Sequence, residues 1–124
     1  MIRNTYIVAA PVQKVWRALV DPEEIAGWGA GPAVMSEQKD VEFKLWGGDI
    51  YGRNTQVVKN KKITQDWYAG DWKHPSKVTI ELASQQDKTK VTLHQENVPE
   101  DEFKEINDGW DRYYFGEIKK YLED

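Results

Sequence analysis

The fold is decided by residues 99–124, which read PEDEFKEINDGWDRYYFGEIKKYLED. Apolar side chains recur there at helical spacing, at Phe103, Ile106, Trp110, Tyr114, Ile118 and Tyr121. Acids precede this stripe and lysines follow it, which suits the dipole of a helix. A helix over residues 100–122 is about 33 Å long, enough to cross a whole sheet. Gly109 and Gly116 each cost about 1 kcal/mol inside a helix, a cost that is acceptable if the helix needs close approach to the sheet there.

In the chain before this helix, apolar residues recur at every second position, which is typical of strands with one buried face and one solvent-exposed face. Polar residues alternate with apolar ones around Val41, Phe43, Leu45, Ile63, Trp67, Val78, Ile80, Leu82, Val91 and Leu93. Turn residues separate these runs at 47–48, 59–62 and 85–88. Residues 2–9, rich in Ile, Thr, Tyr and Val, predict one further strand at the N-terminus.

Two short helices are expected between the first strand and this meander. Pro11 is well placed at the start of the first, and Asp21 can cap the second with Pro22 at its first helical position. The order of elements predicts an α+β fold, in which a curved antiparallel sheet of about six to seven strands wraps around the long C-terminal helix. We expect one domain over residues 1–124, because a second core would have too few residues to close.

Composition and charge narrow the classes of function. The chain has 17 basic and 21 acidic residues, a net charge of −4, and one basic cluster at 59–62 that we interpret as a solvated turn. This balance gives no general attraction to nucleic acid. The sequence contains no cysteine, no signal peptide and no run long enough to span a membrane. We therefore expect a cytoplasmic protein without disulfides and without membrane or nucleic-acid partners.

No motif indicates catalytic or metal-binding residues. His94 lies on the polar side of its strand and His74 lies beside a proline in a loop, so neither has a second convergent ligand. No serine follows a strand–turn–helix elbow, and neither glycine cluster leads into a helix with a lysine. We expect no catalytic residue, no metal and no cofactor. The acids at 100–102 are interpreted as charges at the start of a helix, with a catalytic pair of carboxylates as the alternative.

Aromatic residues are abundant for so short a chain, with six Trp, six Tyr and three Phe. Trp16 and Tyr114 are expected in the core. The sequence does not decide whether the side chains of four other tryptophans lie in the core or in the wall of a cavity, namely Trp28, Trp67, Trp72 and Trp110. Gln65 shares the inward parity of Ile63, and a buried amide requires hydrogen-bond partners. It is expected either to meet the polar side of a helix or to line a wet cavity.

Two groups of motifs resemble a known family. Residues 10–11, 15–19, 21–23 and Trp28 resemble the opening signature of START-like, birch-pollen-allergen-like domains, the SRPBCC superfamily. The stretch GWDRYYF at 109–115, with residues 98–99 before it and 118–119 after it, is similar to the C-terminal domain of activators of the heat-shock protein 90 ATPase. Gly48, Gly52, Trp67 and residues 77–80 fit the same pattern, so the resemblance covers essentially the whole chain.

This resemblance implies a helix-grip fold, often with an internal cavity. For the activators it also implies contact with a chaperone of the heat-shock protein 90 type. Full activators look like two-domain proteins whose N-terminal domain supplies much of the grip on the chaperone, and these 124 residues do not include such a domain. We therefore expect weak chaperone binding by this domain and little stimulation of ATP turnover.

Three hypotheses from different classes of function follow. The first is a non-catalytic module that binds a small apolar or aromatic ligand between the sheet and the C-terminal helix. Its expected ligand-binding residues are Trp28, Phe43, Leu45, Gln65, Trp67, Trp72, Ile80, Phe103, Ile106 and Trp110. The second is a module that contacts a heat-shock protein 90-type chaperone through its surface. The third is a small cyclase or dehydratase, because the wider superfamily includes such enzymes.

Overall fold

The computed structural model describes residues 1–123, which contain a six-stranded sheet, two short helices and a long C-terminal helical segment. The strands are β1 (Ile2–Val8), β2 (Glu42–Leu45), β3 (Ile50–Val58), β4 (Lys62–Ala69), β5 (Ser76–Gln85) and β6 (Lys88–Glu96). The helices are α1 (Val12–Val20), α2 (Pro22–Trp28), α3 (Phe103–Gly109) and α4 (Phe115–Glu123). Turns of 3₁₀ helix occupy Trp46–Gly48 and Glu100–Glu102, and a π-helical turn occupies Trp110–Tyr114.

The sheet has the order β1-β6-β5-β4-β3-β2, and every neighbouring pair is antiparallel. The strands from β2 to β6 form the predicted meander. The last of them, β6, pairs with β1, which is the edge strand on that side. Alternate residues such as Val78, Ile80 and Leu82 on β5 are buried against the helices. The prediction of an α+β fold, with a curved sheet around the C-terminal helical segment, is confirmed.

The sheet bends at β3. The pairing of β3 with β4 shifts between Asn54 and Gln56, which is a bulge that increases the local twist. Gly52 lies opposite Trp67, and a side chain at this glycine would run into the carbonyl oxygen of Asp66. Only a residue without a Cβ atom therefore fits between the two strands at this point.

The two short helices lie where the sequence predicts them. Val15, Trp16 and Leu19 of α1 are buried against the sheet. Asp21 caps α2, because its Oδ1 atom accepts a hydrogen bond of 2.9 Å from the backbone N–H of Glu23. No helix within residues 1–123 is both long enough and apolar enough to cross a membrane.

The C-terminal helical segment changes its hydrogen-bonding pattern at the π turn, where the bonds join residues five apart. A side chain at Gly116 would run into the carbonyl oxygen of Asp111, five residues earlier. Gly109 has no comparable constraint, since a Cβ atom there would make an ordinary contact of 3.9 Å with Tyr113. Neither glycine is therefore required by a close approach of the helix to the sheet. Gly116 instead leaves room for the carbonyl oxygen of Asp111 in the same helical segment.

The π turn also changes which residues face the sheet. Tyr114 and Phe115, adjacent in sequence, are both buried, at 3% and 0% exposure. Tyr121, predicted on the buried stripe, is 39% exposed, and its hydroxyl donates a hydrogen bond of 2.7 Å to Glu24 of α2. The prediction for Tyr121 is wrong because the extra residue in the π turn shifts the phase of the helix that follows.

Candidate functional site

Two tryptophans from opposite layers stack between the sheet and the C-terminal helical segment. Trp67 of β4 and Trp110 of the π turn have ring centroids 4.7 Å apart and planes inclined by 27°. Phe43 lies 6.5 Å from the first of these rings, and Phe115 lies 5.8 Å from the second. All four side chains are at most 5% exposed. The space at this point is filled by aromatic rings.

Gln65 takes part in a buried hydrogen-bond relay. The indole N–H of Trp67 donates to Gln65 Oε1 at 2.8 Å, and Gln65 Nε2 donates to Asn54 Oδ1 at 2.9 Å. Asn54 Nδ2 in turn donates to the carbonyl oxygen of Ser36 at 2.8 Å. Gln65 is 2% exposed and Asn54 is 0% exposed. Both environments expected for Gln65 are therefore wrong, because the neighbouring strand β3 supplies its partner.

A second relay holds the other tryptophan of the stack. The indole N–H of Trp110 donates to Gln95 Oε1 at 2.8 Å, and Gln95 Nε2 donates to the Ser76 hydroxyl at 2.9 Å. That hydroxyl donates to the carbonyl oxygen of Glu96 at 2.6 Å. Each stacked indole thus has a fixed acceptor on the sheet, which is what a buried polar group requires.

An open cleft of about 690 Å³ lies beside this stack, between the C-terminal helical segment and the connection from β2 to β3. Its aromatic and aliphatic wall consists of Trp46, Ile50, Trp67, Ile106, Trp110, Tyr113 and Tyr114. Its charged rim consists of Asp49, Glu105, Asp108 and Arg112. Sites for small molecules are commonly clefts of about 300–1,000 Å³ with mostly apolar walls, and this cleft falls within that range.

Trp46 differs from the stacked tryptophans. Its φ angle is +51°, in the left-handed region that bulky residues seldom adopt, and two glycines follow it directly. Its half-buried ring lies 6.4 Å from Trp28 and 6.4 Å from Tyr114. Its indole N–H makes no hydrogen bond within residues 1–123. Strained backbone tends to occur at binding and active sites, and here it coincides with a donor that is open to solvent.

The rim of the cleft carries more negative than positive charge. Asp49, Glu105 and Asp108 are exposed carboxylates, and Arg112 is the only basic residue on the described part of the rim. None of these four side chains forms an ion pair within the described residues. Burial raises the pKa of the Tyr114 hydroxyl further above its ordinary value, and this hydroxyl adds no charge to the cleft at physiological pH. The cleft therefore combines aromatic walls with a rim of net negative charge.

The ten residues expected to bind a ligand fall into three groups in the structure. Three of them line the cleft, namely Trp67, Ile106 and Trp110. Five are buried in the core and do not line it, namely Trp28, Phe43, Leu45, Gln65 and Ile80. The remaining two, Trp72 and Phe103, are half-buried outside the cleft lining. The indole N–H of Trp72 donates to Glu102 at 2.9 Å, which ties the β4–β5 connection to the start of the C-terminal helical segment.

In the wall of the cleft, sequence reasoning missed Trp46, Ile50 and Tyr113 and assigned Tyr114 to the core alone. The one available signal was the pair of glycines directly after Trp46, because consecutive glycines indicate a tight turn at the end of a strand. Tyr113 gave no signal, since its orientation depends on the π turn. Ile50 begins β3 just after the Trp46–Gly48 turn, and nothing in the sequence marked it as a cleft residue.

His94 is less exposed than the sequence predicts. It lies on the outer face of β6 between Arg3 of β1 and Thr79 of β5, and it is half-buried. Its Nε2 atom is buried without a hydrogen-bond partner in the described part of the chain. No group of three or more His, Cys, Asp or Glu side chains within residues 1–123 is arranged to hold a metal ion. His94 by itself therefore defines no site.

The order and pairing of the elements define the class of this protein. An antiparallel sheet that curves around a C-terminal helical segment, with two short helices after the first strand, is a START-like helix-grip domain. The family model described as "Activator of Hsp90 ATPase homolog 1-like protein" matches residues 9–123. The chain belongs to this family.

Known relatives agree with this assignment. "Activator of 90 kDa heat shock protein ATPase homolog 1" of Homo sapiens is 22% identical over 121 residues, which are 96% of this chain and 35% of the human protein. The "Activator of 90 kDa heat shock protein ATPase homolog" of Dictyostelium discoideum is 35% identical over 103 residues, which are 81% of this chain and 27% of that protein. The chain spans about a third of the length of the curated relatives it matches.

A solved structure described as an HSP90 activator from Plasmodium falciparum is similar in fold. It superposes with a TM-score of 0.90 at 24% sequence identity. The match covers 98% of this chain and 95% of that one. The whole helix-grip architecture is therefore shared, and at this level of identity the likeness concerns the fold alone.

Proposed function

We propose that this chain is a non-catalytic interaction module that contacts a chaperone of the Hsp90 type through its surface. The family match over residues 9–123 carries the proposal. The relatives named above are described as activators of the ATPase of such a chaperone. The filled interior supports a surface role, because the stack of Trp67 on Trp110 occupies the space between sheet and helix.

Tyr113 is the side chain that we expect at the centre of this contact. It is 61% exposed at the edge of the cleft, although it lies between the buried Trp110 and Tyr114 on the same π turn. A tyrosine held on a rigid helix brings a large amphipathic surface to a partner at low entropic cost, and tyrosines are enriched at the centres of interfaces. Val58, at the far end of β3, is 41% exposed and serves as a matched control.

Calorimetric titration of the chain into a purified Hsp90-type chaperone tests the proposal. We expect a dissociation constant weaker than about 1 μM, which corresponds to a binding free energy of about −8 kcal/mol, and little stimulation of ATP turnover. Tyr113→Ala should weaken the binding further, whereas Val58→Ala should not. Absence of binding at the highest attainable concentration would contradict the chaperone contact. Strong stimulation of ATP turnover by the chain at low micromolar concentration would contradict the expected weak effect.

The cleft favours a second candidate function, the binding of a small apolar or aromatic ligand. Its volume and its aromatic wall support this candidate, and Trp67, Ile106 and Trp110 are the predicted ligand-binding residues that line it. Titration with fatty acids, flavonoid-like aromatics and a hydrophobic dye, followed by tryptophan fluorescence, is the test. If none of these compounds changes the emission of the protein, this candidate is wrong.

A further inference from the structure

The aromatic rings of the cleft differ in orientation and in exposure. The planes of Trp46 and Tyr114 are inclined by 65°, and those of Trp110 and Tyr114 by 53°. Tyr113 adds an exposed ring at the mouth. The π face of an aromatic ring is electron-rich and attracts cations within about 6 Å of its centroid. Because Trp110 and Tyr114 are only 2% and 3% exposed, the faces that a cation can contact belong to Trp46 and Tyr113.

The rim adds a second attraction for positive charge. Asp49 extends from the β2–β3 connection, whereas Glu105 and Asp108 lie on α3, so carboxylates border the cleft from two sides. Arg112 offsets one of these three charges. Because none of the three carboxylates is paired with a cation of the described chain, each is available to a ligand. An anionic ligand would be repelled at the mouth, and a neutral one would gain only from apolar burial.

We propose that the cleft binds small organic cations whose positive group, such as a quaternary ammonium, is attached to an apolar or aromatic body. The apolar body packs against Ile50 and Ile106, and the cationic group contacts the faces of Trp46 and Tyr113 near the rim carboxylates. This inference rests on the second candidate function, ligand binding in the cleft, and does not depend on the chaperone contact. It adds the charge of the ligand, which neither the fold nor the family specifies.

Three probes that share one ring and differ in charge test this inference: benzyltrimethylammonium, benzyl alcohol and benzenesulfonate. The readout is the NMR signal of the Trp46 indole N–H, identified by its loss in Trp46→Phe. We expect the cation to bind about tenfold more tightly than the alcohol, a preference typical of cation–π contacts reinforced by nearby carboxylates. The sulfonate should bind most weakly, and added salt should reduce the affinity of the cation alone.

A pair of rim substitutions separates charge from shape. Asp49→Asn combined with Asp108→Asn should lower the affinity for benzyltrimethylammonium by roughly fivefold and leave that for benzyl alcohol unchanged. Asp87→Asn, in the exposed turn between β5 and β6, is the control and should change neither. Equal affinity for all three probes would overturn the preference for cations while ligand binding stands. If no probe shifts the Trp46 signal, the inference fails, whereas the ligand-binding candidate fails only if the fatty acids, flavonoid-like aromatics and dye also leave the tryptophan emission unchanged.

Discussion

The indole groups of Trp67 and Trp46 both line the cleft, yet their surroundings differ. Trp67 is 5% exposed, stacks on Trp110 and donates its N–H to Gln65. Trp46 is half-buried, has a positive φ angle and has no acceptor for its N–H in the described chain. The first belongs to a closed region, in which the polar atoms of the two relays have fixed partners. The second belongs to an open region, in which a donor and several carboxylates remain unpaired.

This difference separates the residues that stabilise the fold from those available to a partner. In the closed region, truncation removes packing and leaves a buried polar group without its partner, so stability should fall. In the open region the side chains already contact solvent, so truncation should change binding and leave stability nearly unchanged. Substitutions in the two regions can test this division directly.

The largest effect is expected for Trp110→Ala. Trp110 is 2% exposed, stacks on Trp67 and donates to Gln95, so its removal leaves a cavity and an unpaired amide. Truncation of a large buried aromatic side chain typically costs about 3–5 kcal/mol of unfolding free energy. Urea denaturation followed by circular dichroism measures the change. A loss smaller than about 1 kcal/mol would be comparable to removal of a single methyl group. It would show that the helical segment docks differently.

A smaller loss is expected for Gln65→Leu. The substitution leaves the Trp67 N–H and Asn54 Oδ1 without partners in a buried site, and each unsatisfied group costs about 1–3 kcal/mol. We therefore expect a loss of about 2–4 kcal/mol, since the leucine recovers part of the cost through apolar burial. Gln56→Leu, at an exposed position of the adjacent strand, is the matched control and should stay within about 0.5 kcal/mol of wild type. A stabilised Gln65→Leu protein would show that the relay contributes nothing.

The fate of Gln65 also shows how far a sequence can predict this structure. Alternation along β4 places Gln65 inward, because that follows from the period of a strand. Its partner Asn54 depends on the register of β3 against β4, which a bulge shifts by one residue. Register is a property of two strands and their turn, so neither segment encodes it alone. The direction of a side chain was therefore predictable, and the atom that it meets was not.

The C-terminal helical segment was likewise predictable only in part. Its existence and length follow from the apolar stripe and from the acids that precede it. The π turn does not follow, because a regular helix also fits Trp110, Tyr114 and Ile118. Only the joint burial of Tyr114 and Phe115 requires the extra residue. The cleft could not be predicted for the same reason, because the orientation of its helical wall depends on the π turn.

The smallest effect is expected for Tyr113→Ala, and its neighbour Tyr114 supplies the control. Tyr113 is 61% exposed, so its truncation should change the unfolding free energy by no more than about 0.5 kcal/mol. Tyr114→Ala removes a ring that is 3% exposed and lies 4.7 Å from Trp110, so it should cost about 3–5 kcal/mol. Parallel urea titrations of the two variants measure this difference between adjacent residues. If both variants lose stability equally, Tyr113 is part of the packed core and the wall of the cleft is not an independent surface. If Tyr113→Ala keeps full stability, any loss of chaperone binding in that variant reflects a direct contact, because the fold beneath the side chain is unchanged.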